Sequence, residues 1–166
     1  MLWQNKAERY IGTLPRKCKN RMAQLQVPRR LWDYGLVWEA EILSRTASGP
    51  DGRTGVGRIT GDSVDISEWM DFSFYDLVWF WDHPSAENNP RLGRFLGVAH
   101  RIGSALCYWI LKSNGQVLAR TTVQHVTDDD LRTDATKEKI LQFDREVNER
   151  LDDTNFTDIG PEGNFL

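Results

Sequence analysis

The sequence of 166 residues has few cysteines and histidines and no long hydrophobic run. Its two cysteines, Cys18 and Cys107, are far apart, and neither belongs to a Cys-x-x-Cys or Cys-x-x-His pair. This spacing argues against an encoded zinc site and suits a reducing compartment. Apolar runs such as Leu77 to Trp81 are much shorter than a membrane-spanning helix requires. We therefore expect an intracellular protein, nuclear or cytoplasmic, that is neither secreted nor embedded in a membrane.

Charge is segregated along the chain, although the formal net charge is only −3. Residues 1–46 and 91–127 each carry five more basic than acidic side chains. Residues 47–90 and 128–166 carry six and seven more acidic than basic ones. Two basic blocks suit a polyanion, and an acidic tail is typical of a linker. The same pattern is compatible with solvated faces that bind no partner.

Hydrophobic spacing predicts three helices. The first is expected over residues 3–25, with Pro15 kinking or breaking it because its ring displaces a backbone hydrogen bond. The second is expected over 29–46, and an amphipathic helix over 134–151. Residues 152–166 have the composition of a disordered tail. The predicted apolar stripes of the first two helices are Ala7, Ile11, Leu14, Cys18 and Met22, then Leu31, Trp32, Leu36, Ala40 and Leu43.

The middle of the chain predicts a loop and a small sheet. Residues 48–63 hold five glycines and a proline, which favours a loop. Asn114-Gly115 is the turn pair typical of a two-residue β-hairpin. Strand-like runs are found at residues 72–82, 94–101, 105–112 and 116–126. The expected fold is α+β, with N-terminal helices, a small antiparallel β-barrel and a C-terminal helix. The expected segments are a helical unit (1–47), a Gly-rich linker (48–71), a barrel domain (72–127) and an acidic helix with a linker (128–166).

A hexapeptide near the start carries the first family resemblance. Residues 4–9 read QNKAER, which resembles the last catalytic helix of the DDE integrases of retroviruses and LTR retrotransposons, typically Gln-Asn-x-x-Glu-Arg. Three further blocks follow in the order found in copia-type elements: VPRRLW at 27–32, TGDSVDIS at 60–67, and the RFLG to RTTV hairpins across 94–123. Together the four blocks resemble the C-terminal part of a copia-type integrase from a Gag-Pol polyprotein.

This resemblance implies an RNase H-like integrase core that ends in the first helices, followed by a Src-homology-3-like barrel. It implies that Glu8 is the third catalytic, metal-binding carboxylate, with Mg²⁺ as the cofactor of the intact family. No aspartate precedes Glu8, and no His-His-Cys-Cys module is present. We therefore expect an integrase fragment that is inactive alone, with an incomplete metal site and no cofactor of its own. Any metal-dependent DNA cleavage lost in Glu8→Gln would contradict this expectation.

The expected residual function is non-specific DNA binding through phosphate contacts. The candidate residues are Asn5, Arg9, Arg16, Lys17, Lys19, Arg21, Arg29, Arg30, Arg91, Arg94, Arg101, Lys112 and Arg120. The remainder of the polyprotein is a further expected partner, and self-association is left open. The alternative function is a non-enzymatic small-barrel module that binds chromatin or a protein. A separate interpretation is that these cations only solubilise the helices and the barrel.

Most aromatic residues and the three histidines are expected to have structural roles. Seven tryptophans are many for this length, and most should be buried or lie at an interface. The aromatic run from Trp69 to Trp81 lies among acidic residues, so we expect it to form core rather than a base-stacking platform. His83, His100 and His125 show no ligand spacing and are expected to be structural.

Overall fold

The computed structural model describes residues 6–81, 89–100, 102–103 and 105–151. Three helices come first, five antiparallel strands follow, and two helices end the described chain. This order confirms the expected α+β class, including the C-terminal helix. The elements are α1 (Lys6–Gln24), α2 (Trp32–Thr46), α3 (Gly55–Thr60), β1 (Leu77–Phe80), β2 (Arg91–Val98), β3 (Tyr108–Leu111), β4 (Val117–Arg120), β5 (Val123–His125), α4 (Asp128–Arg132) and α5 (Asp134–Leu151).

Helices α1 and α2 pack closely because a glycine lies at their contact. A Cβ atom added at Gly35 would lie 3.1 Å from the Cys18 sulfur and 3.5 Å from the Met22 sulfur. Both side chains are buried, as the predicted α1 stripe requires. Ile11, in the same stripe, is 70% exposed, and nothing lies within 4 Å of a Cβ at Gly12. The contact with α2 therefore involves the C-terminal half of α1.

Pro15 does not break α1, so the expected break was wrong, whereas the expected kink stays a prediction. The helix continues through Pro15 to Gln24. A proline inside a helix loses one backbone hydrogen bond, but its fixed φ near −65° is itself helical. Burial of Cys18 and Met22 beyond it stabilises the following turns, since tertiary packing supplies most helix stability in proteins.

The five strands form one antiparallel sheet in the order β4-β3-β2-β1-β5. The first half of β2 pairs with β1, through Leu92↔Trp79, and its second half pairs with β3, through Val98↔Tyr108. A register shift lies between Phe95 and Gly97, where Gly97 has φ of +135°. A bulge of this kind bends a strand and increases its twist.

The sheet is strongly coiled, because its two edge strands are consecutive in the chain. Only Thr121 and Thr122 separate the end of β4 from the start of β5. In a flat sheet these edges would be separated by four strand spacings, roughly 19 Å. Three residue steps span at most about 11 Å. The predicted single strand over 116–126 is therefore two strands, which pair with β3 and with β1 at opposite edges.

One hydrophobic core joins the helices to the sheet. Trp38 of α2 packs edge-on against Phe95 of β2, with 5.5 Å between ring centroids. Phe143 and Val147 of α5 are buried in the same cluster, as the predicted stripe of that helix requires. The side chains buried most completely are Phe74, Phe80, Phe95, Leu96, Ile110, Leu111, Val78 and Val147. The division into four segments stays a prediction.

Two other segments differ from expectation. The Gly-rich stretch at 48–63 contains α3, because the Thr54 hydroxyl accepts a hydrogen bond from the Gly57 amide (3.1 Å) and caps the helix. The strand expected over 72–82 is confined to β1. Tyr75 has φ of +70°, which ends any extended run before it. Phe72 and Phe74 are buried nonetheless, so the aromatic run does contribute to the core as expected.

Candidate nucleic-acid interface

Three exposed cations share one stretch of α1. Cys18 and Met22 occupy the side of the helix that faces α2. Successive helical residues are rotated by about 100°, so Lys17 and Lys19 flank Cys18 and Arg16 lies nearly opposite it. All three side chains belong to exposed residues. The packing of α1 on α2 therefore turns these cations toward solvent.

The turn after α1 is fixed by backbone hydrogen bonds. The Gln26 amide donates to the Ala23 carbonyl (3.3 Å) and the Val27 amide donates to the Met22 carbonyl (2.9 Å). Gln26 has φ of +53°. This is the Schellman pattern, and the buried pair Val27 and Met22 supplies the apolar contact that accompanies it. The chain consequently leaves α1 in a defined direction.

A short 3₁₀ turn, Arg29–Leu31, then leads into α2. Its last residue, Leu31, is buried, whereas Arg29 and Arg30 are exposed. We call residues 11–33 the basic hairpin: the part of α1 from Ile11, this connection and the start of α2. It contains six Lys or Arg residues and one acidic residue, Asp33.

Trp32 is the first residue of α2 and is 53% exposed. The prediction that it faces the core was wrong. Its neighbour Leu31 takes the core position, and adjacent helical residues point in directions about 100° apart. The thiol of Cys18 donates to the Trp32 carbonyl (3.6 Å). Burial, and secondarily the Glu39 carboxylate, raise the pKa of that thiol, so Cys18 stays protonated at neutral pH and acts as a packing residue.

Arg21 belongs to the basic hairpin in sequence, but its guanidinium forms an ion pair with the buried carboxylate of Glu39. Leaving a buried carboxylate unpaired is costly, so this pair keeps the arginine against α2. Glu41 lies two residues after Glu39, so its side chain points to a different side of α2, where it contacts other elements. Arg21 is therefore a structural contact of the hairpin rather than one of its outward cations.

Arg94 is held within the fold. Its guanidinium donates two hydrogen bonds to the Asp144 carboxylate (2.8 and 3.0 Å) and one to the Tyr75 carbonyl (3.1 Å). It also lies over the Tyr75 ring, 4.7 Å from its centroid. These contacts tie α5 to the sheet and leave only 16% of the Arg94 side chain exposed. We leave Arg94 out of the candidate interface.

The remaining candidate residues lie in other parts of the chain than the basic hairpin. Lys112 and Arg120 are half-buried on the sheet, and Arg120 donates to the Ala119 carbonyl (2.8 Å). Arg91 begins β2. Asn5, Arg101 and His83 lie outside the described residues, as does the tail at 152–166. The backbone of Glu8 and Arg9 belongs to α1, but their side chains lie outside the described part.

One cluster was not predicted because its members are far apart in sequence. The carboxylate of Glu41 accepts a hydrogen bond from the Trp69 indole nitrogen (2.7 Å) and lies 2.7 Å from Nε2 of His100. The guanidinium of Arg45 lies 3.6 Å from the Trp69 ring centroid. The cluster joins α2 to the Ser67–Trp69 turn and to the residues that follow β2. This contact supports the structural role expected for His100.

Among the residues that the structure describes, no group of three or more His, Cys, Asp or Glu side chains is arranged to hold a metal ion. Within the same residues, no helix combines the length and the apolar character needed to cross a bilayer.

Comparison of the chain with protein-family models, with curated proteins and with solved structures finds no match. The similarity to integrases therefore rests on the four sequence blocks alone.

Proposed function

We propose that this protein binds DNA without sequence preference through the cations of the basic hairpin. The observation that carries the proposal is the exposure of Arg16, Lys17 and Lys19 on one short stretch of α1 whose opposite side is buried. Exposed Lys and Arg side chains on a rigid helix suit the phosphates of a nucleic-acid backbone. The resemblance to copia-type integrases supports the same function, because it covers this helix.

The test is binding of a fluorescently labelled duplex to the full chain, followed by anisotropy. Binding is expected at low salt and is expected to weaken steeply as salt is added, because the cations displace condensed counterions from DNA. The absence of detectable duplex binding at about 50 mM salt would refute the proposal, since electrostatic binding is strongest at low ionic strength.

We further propose that the coiled sheet is a Src-homology-3-like barrel. Two features support this: β2 is shared between the β1 and β3 pairings, and β5 returns to pair with β1 although it directly follows β4. In such a barrel the two edge strands approach each other. An experimental structure in which β5 does not pair with β1 would refute it. The relation of α1 and α2 to an RNase H-like core rests on the sequence resemblance.

Catalysis is not part of the proposal. The integrase reaction uses two divalent metal ions clamped by three carboxylates, and the resemblance implies only Glu8 as such a ligand. Among the described residues, which do not include the Glu8 side chain, no group of three metal-binding side chains is found. We therefore derive no metal-dependent step.

The second candidate function is binding of a protein or of chromatin by a non-enzymatic module. The exposure of large apolar side chains on the helices favours it: Ile11 is 70% exposed and Val37 of α2 is 55% exposed. Exposed apolar side chains are typical of protein interfaces when they form a contiguous patch. Light scattering of the purified chain tests one form of this function, because self-association would appear as a concentration-dependent mass.

A further inference from the structure

The basic hairpin exposes a tryptophan on a rigid backbone. Among the tryptophans that the structure describes, Trp32 alone is exposed. Its main chain is held on both sides, by the buried Leu31 before it and by the Cys18 thiol on its carbonyl (3.6 Å). The large apolar ring is therefore presented to solvent by a fixed element rather than by a loose loop.

Of the other five described tryptophans, Trp81 is half-buried, and the remaining four make defined contacts. Trp38 is buried, and Trp69 lies between the Glu41 carboxylate and the Arg45 guanidinium. Trp79 donates to Asp130 (3.3 Å), and Trp109 packs edge-on against Tyr34 at 6.3 Å between centroids. These contacts explain the partial burial of Trp69, Trp79 and Trp109. Within the described residues, the Trp32 ring makes no comparable contact.

Trp32 belongs to the basic hairpin, whose one acidic residue, Asp33, follows it directly. Arg29 and Arg30 precede Trp32 by three and two residues, and Arg16, Lys17 and Lys19 lie on the helix that packs against α2. An exposed aromatic ring within a positive surface is the combination that binds single-stranded nucleic acids, in which phosphates meet cations and an unpaired base stacks on the ring. The acidic setting of the Trp69–Trp81 run lacks this combination.

We propose that Trp32 stacks on an unpaired base of a single-stranded nucleic acid whose phosphates contact the basic hairpin. This inference rests on the proposed function and deepens it, because it names the strand form that the site prefers. Bases in a duplex already stack on each other, so a side chain reaches their faces only by unstacking a step. A single strand offers a base face without that cost. The hairpin is therefore expected to favour single strands and frayed ends over intact duplex.

The experiment compares three probes on the full chain at about 50 mM salt, where electrostatic contacts are retained. The probes are a mixed-sequence DNA strand of about 15 nucleotides, the duplex of the same sequence, and a strand of the same length that lacks bases. The variants are Trp32→Ala and Trp32→Phe. The matched control is Met70→Ala, because Met70 is also a large exposed apolar residue, at 72% exposure.

Trp32→Ala is expected to weaken binding of the single strand by about tenfold or more. Trp32→Phe is expected to restore most of the affinity, because it keeps an aromatic face. Binding of the duplex and of the abasic strand should change by less than about twofold, since their contacts are with phosphates. Met70→Ala should change none of the three affinities. Thermal unfolding of Trp32→Ala should match that of the wild type, since surface substitutions have small effects.

Three results would overturn the inference. If Trp32→Ala leaves single-strand affinity unchanged while both strand forms bind, stacking is refuted and the proposed function stands. If Trp32→Ala weakens binding of the base-containing strand and of the abasic strand equally, the ring stabilises the hairpin rather than stacking on a base. If neither DNA form binds the wild-type chain, the proposed function and this inference fail together.

Discussion

The contact between α5 and the sheet gives the sharpest stability prediction. Asp144→Asn keeps the size of the side chain but removes the negative charge that faces Arg94. In the native protein the Asp144 carboxylate accepts two hydrogen bonds from the Arg94 guanidinium, at 2.8 and 3.0 Å. Only 16% of the Arg94 side chain and 38% of the Asp144 side chain are exposed. The substitution therefore leaves a mostly buried cation without its ionised partner.

The expected loss can be sized from these contacts. Hydrogen bonds to charged groups contribute about 1.5–3 kcal/mol. Solvent at the Asp144 end screens the pair, and the Tyr75 carbonyl continues to accept from Arg94 (3.1 Å). We therefore expect the free energy of unfolding to fall by about 1–2 kcal/mol. In a chain of this length that corresponds to roughly 2–8 °C in the unfolding temperature.

Urea unfolding followed by tryptophan fluorescence and by circular dichroism measures this change. The control is Glu149→Gln, a matched charge removal at an exposed position of the same helix, which should cost less than about 0.5 kcal/mol. A double-mutant cycle with Arg94→Met isolates the pair. Equal effects of Asp144→Asn and Glu149→Gln, or a coupling energy near zero, would refute the reasoning.

Three further predictions concern the core, the hairpin and pH. Gly93→Ala should lower the free energy of unfolding in urea by about 1–3 kcal/mol, because the added Cβ would lie 2.6 Å from Cγ2 of Ile110. A neutral effect would contradict this packing. Gln26→Gly should raise the free energy of unfolding by up to about 1 kcal/mol, because residue 26 has φ of +53°, which glycine adopts without strain. A lower unfolding temperature would argue against the Schellman end of α1. Burial raises the pKa of Tyr75 and of Tyr108 from 10 to about 12. Burial therefore favours the neutral phenols in the folded protein. Their contribution to the free energy of unfolding is fully present below pH 10 and is lost as pH rises toward 12. For Tyr75 the loss is about 2–3 kcal/mol. Unfolding free energies across that range, together with the part of the tyrosinate absorbance that is lost in Tyr75→Phe, test it. A Tyr75 contribution that titrates near pH 10 in the folded protein would refute it.

The parts of the fold that depend on local spacing were predictable. The helix expected over 134–151 has those bounds, because its apolar stripe and its buried face coincide. The Asn114-Gly115 turn is also confirmed, with Gly115 at φ of +81°. The turn is longer than expected: the Lys112 amide donates to the Gln116 carbonyl (2.8 Å), which encloses three residues rather than two. Local chemistry specified the turn residues but not the strand register.

Long-range pairing was not predictable from the same patterns. The break at Thr121 and Thr122 has no turn signal, and it follows from the return of β5 to β1 across the coiled sheet. The packing of α2 and α5 determines which residues pair with Arg21 and Arg94. It also determines that the Trp32 ring stays exposed. Basic residues in a sequence therefore identify a candidate charge pattern. Their packing decides which cations face solvent and which hold the fold together.

The salt dependence of duplex binding tests the role of the basic hairpin most directly. Each phosphate contact contributes about −0.9 to the slope of log affinity against log salt. Lys17→Gln with Lys19→Gln should therefore make the slope shallower by up to about 2. The control pair is Arg132→Gln with Lys137→Gln, which removes the same charge from exposed positions on α4 and α5. We expect a change in slope for the hairpin pair and little change for the control pair. Equal changes in both pairs, or none in the hairpin pair, would contradict it.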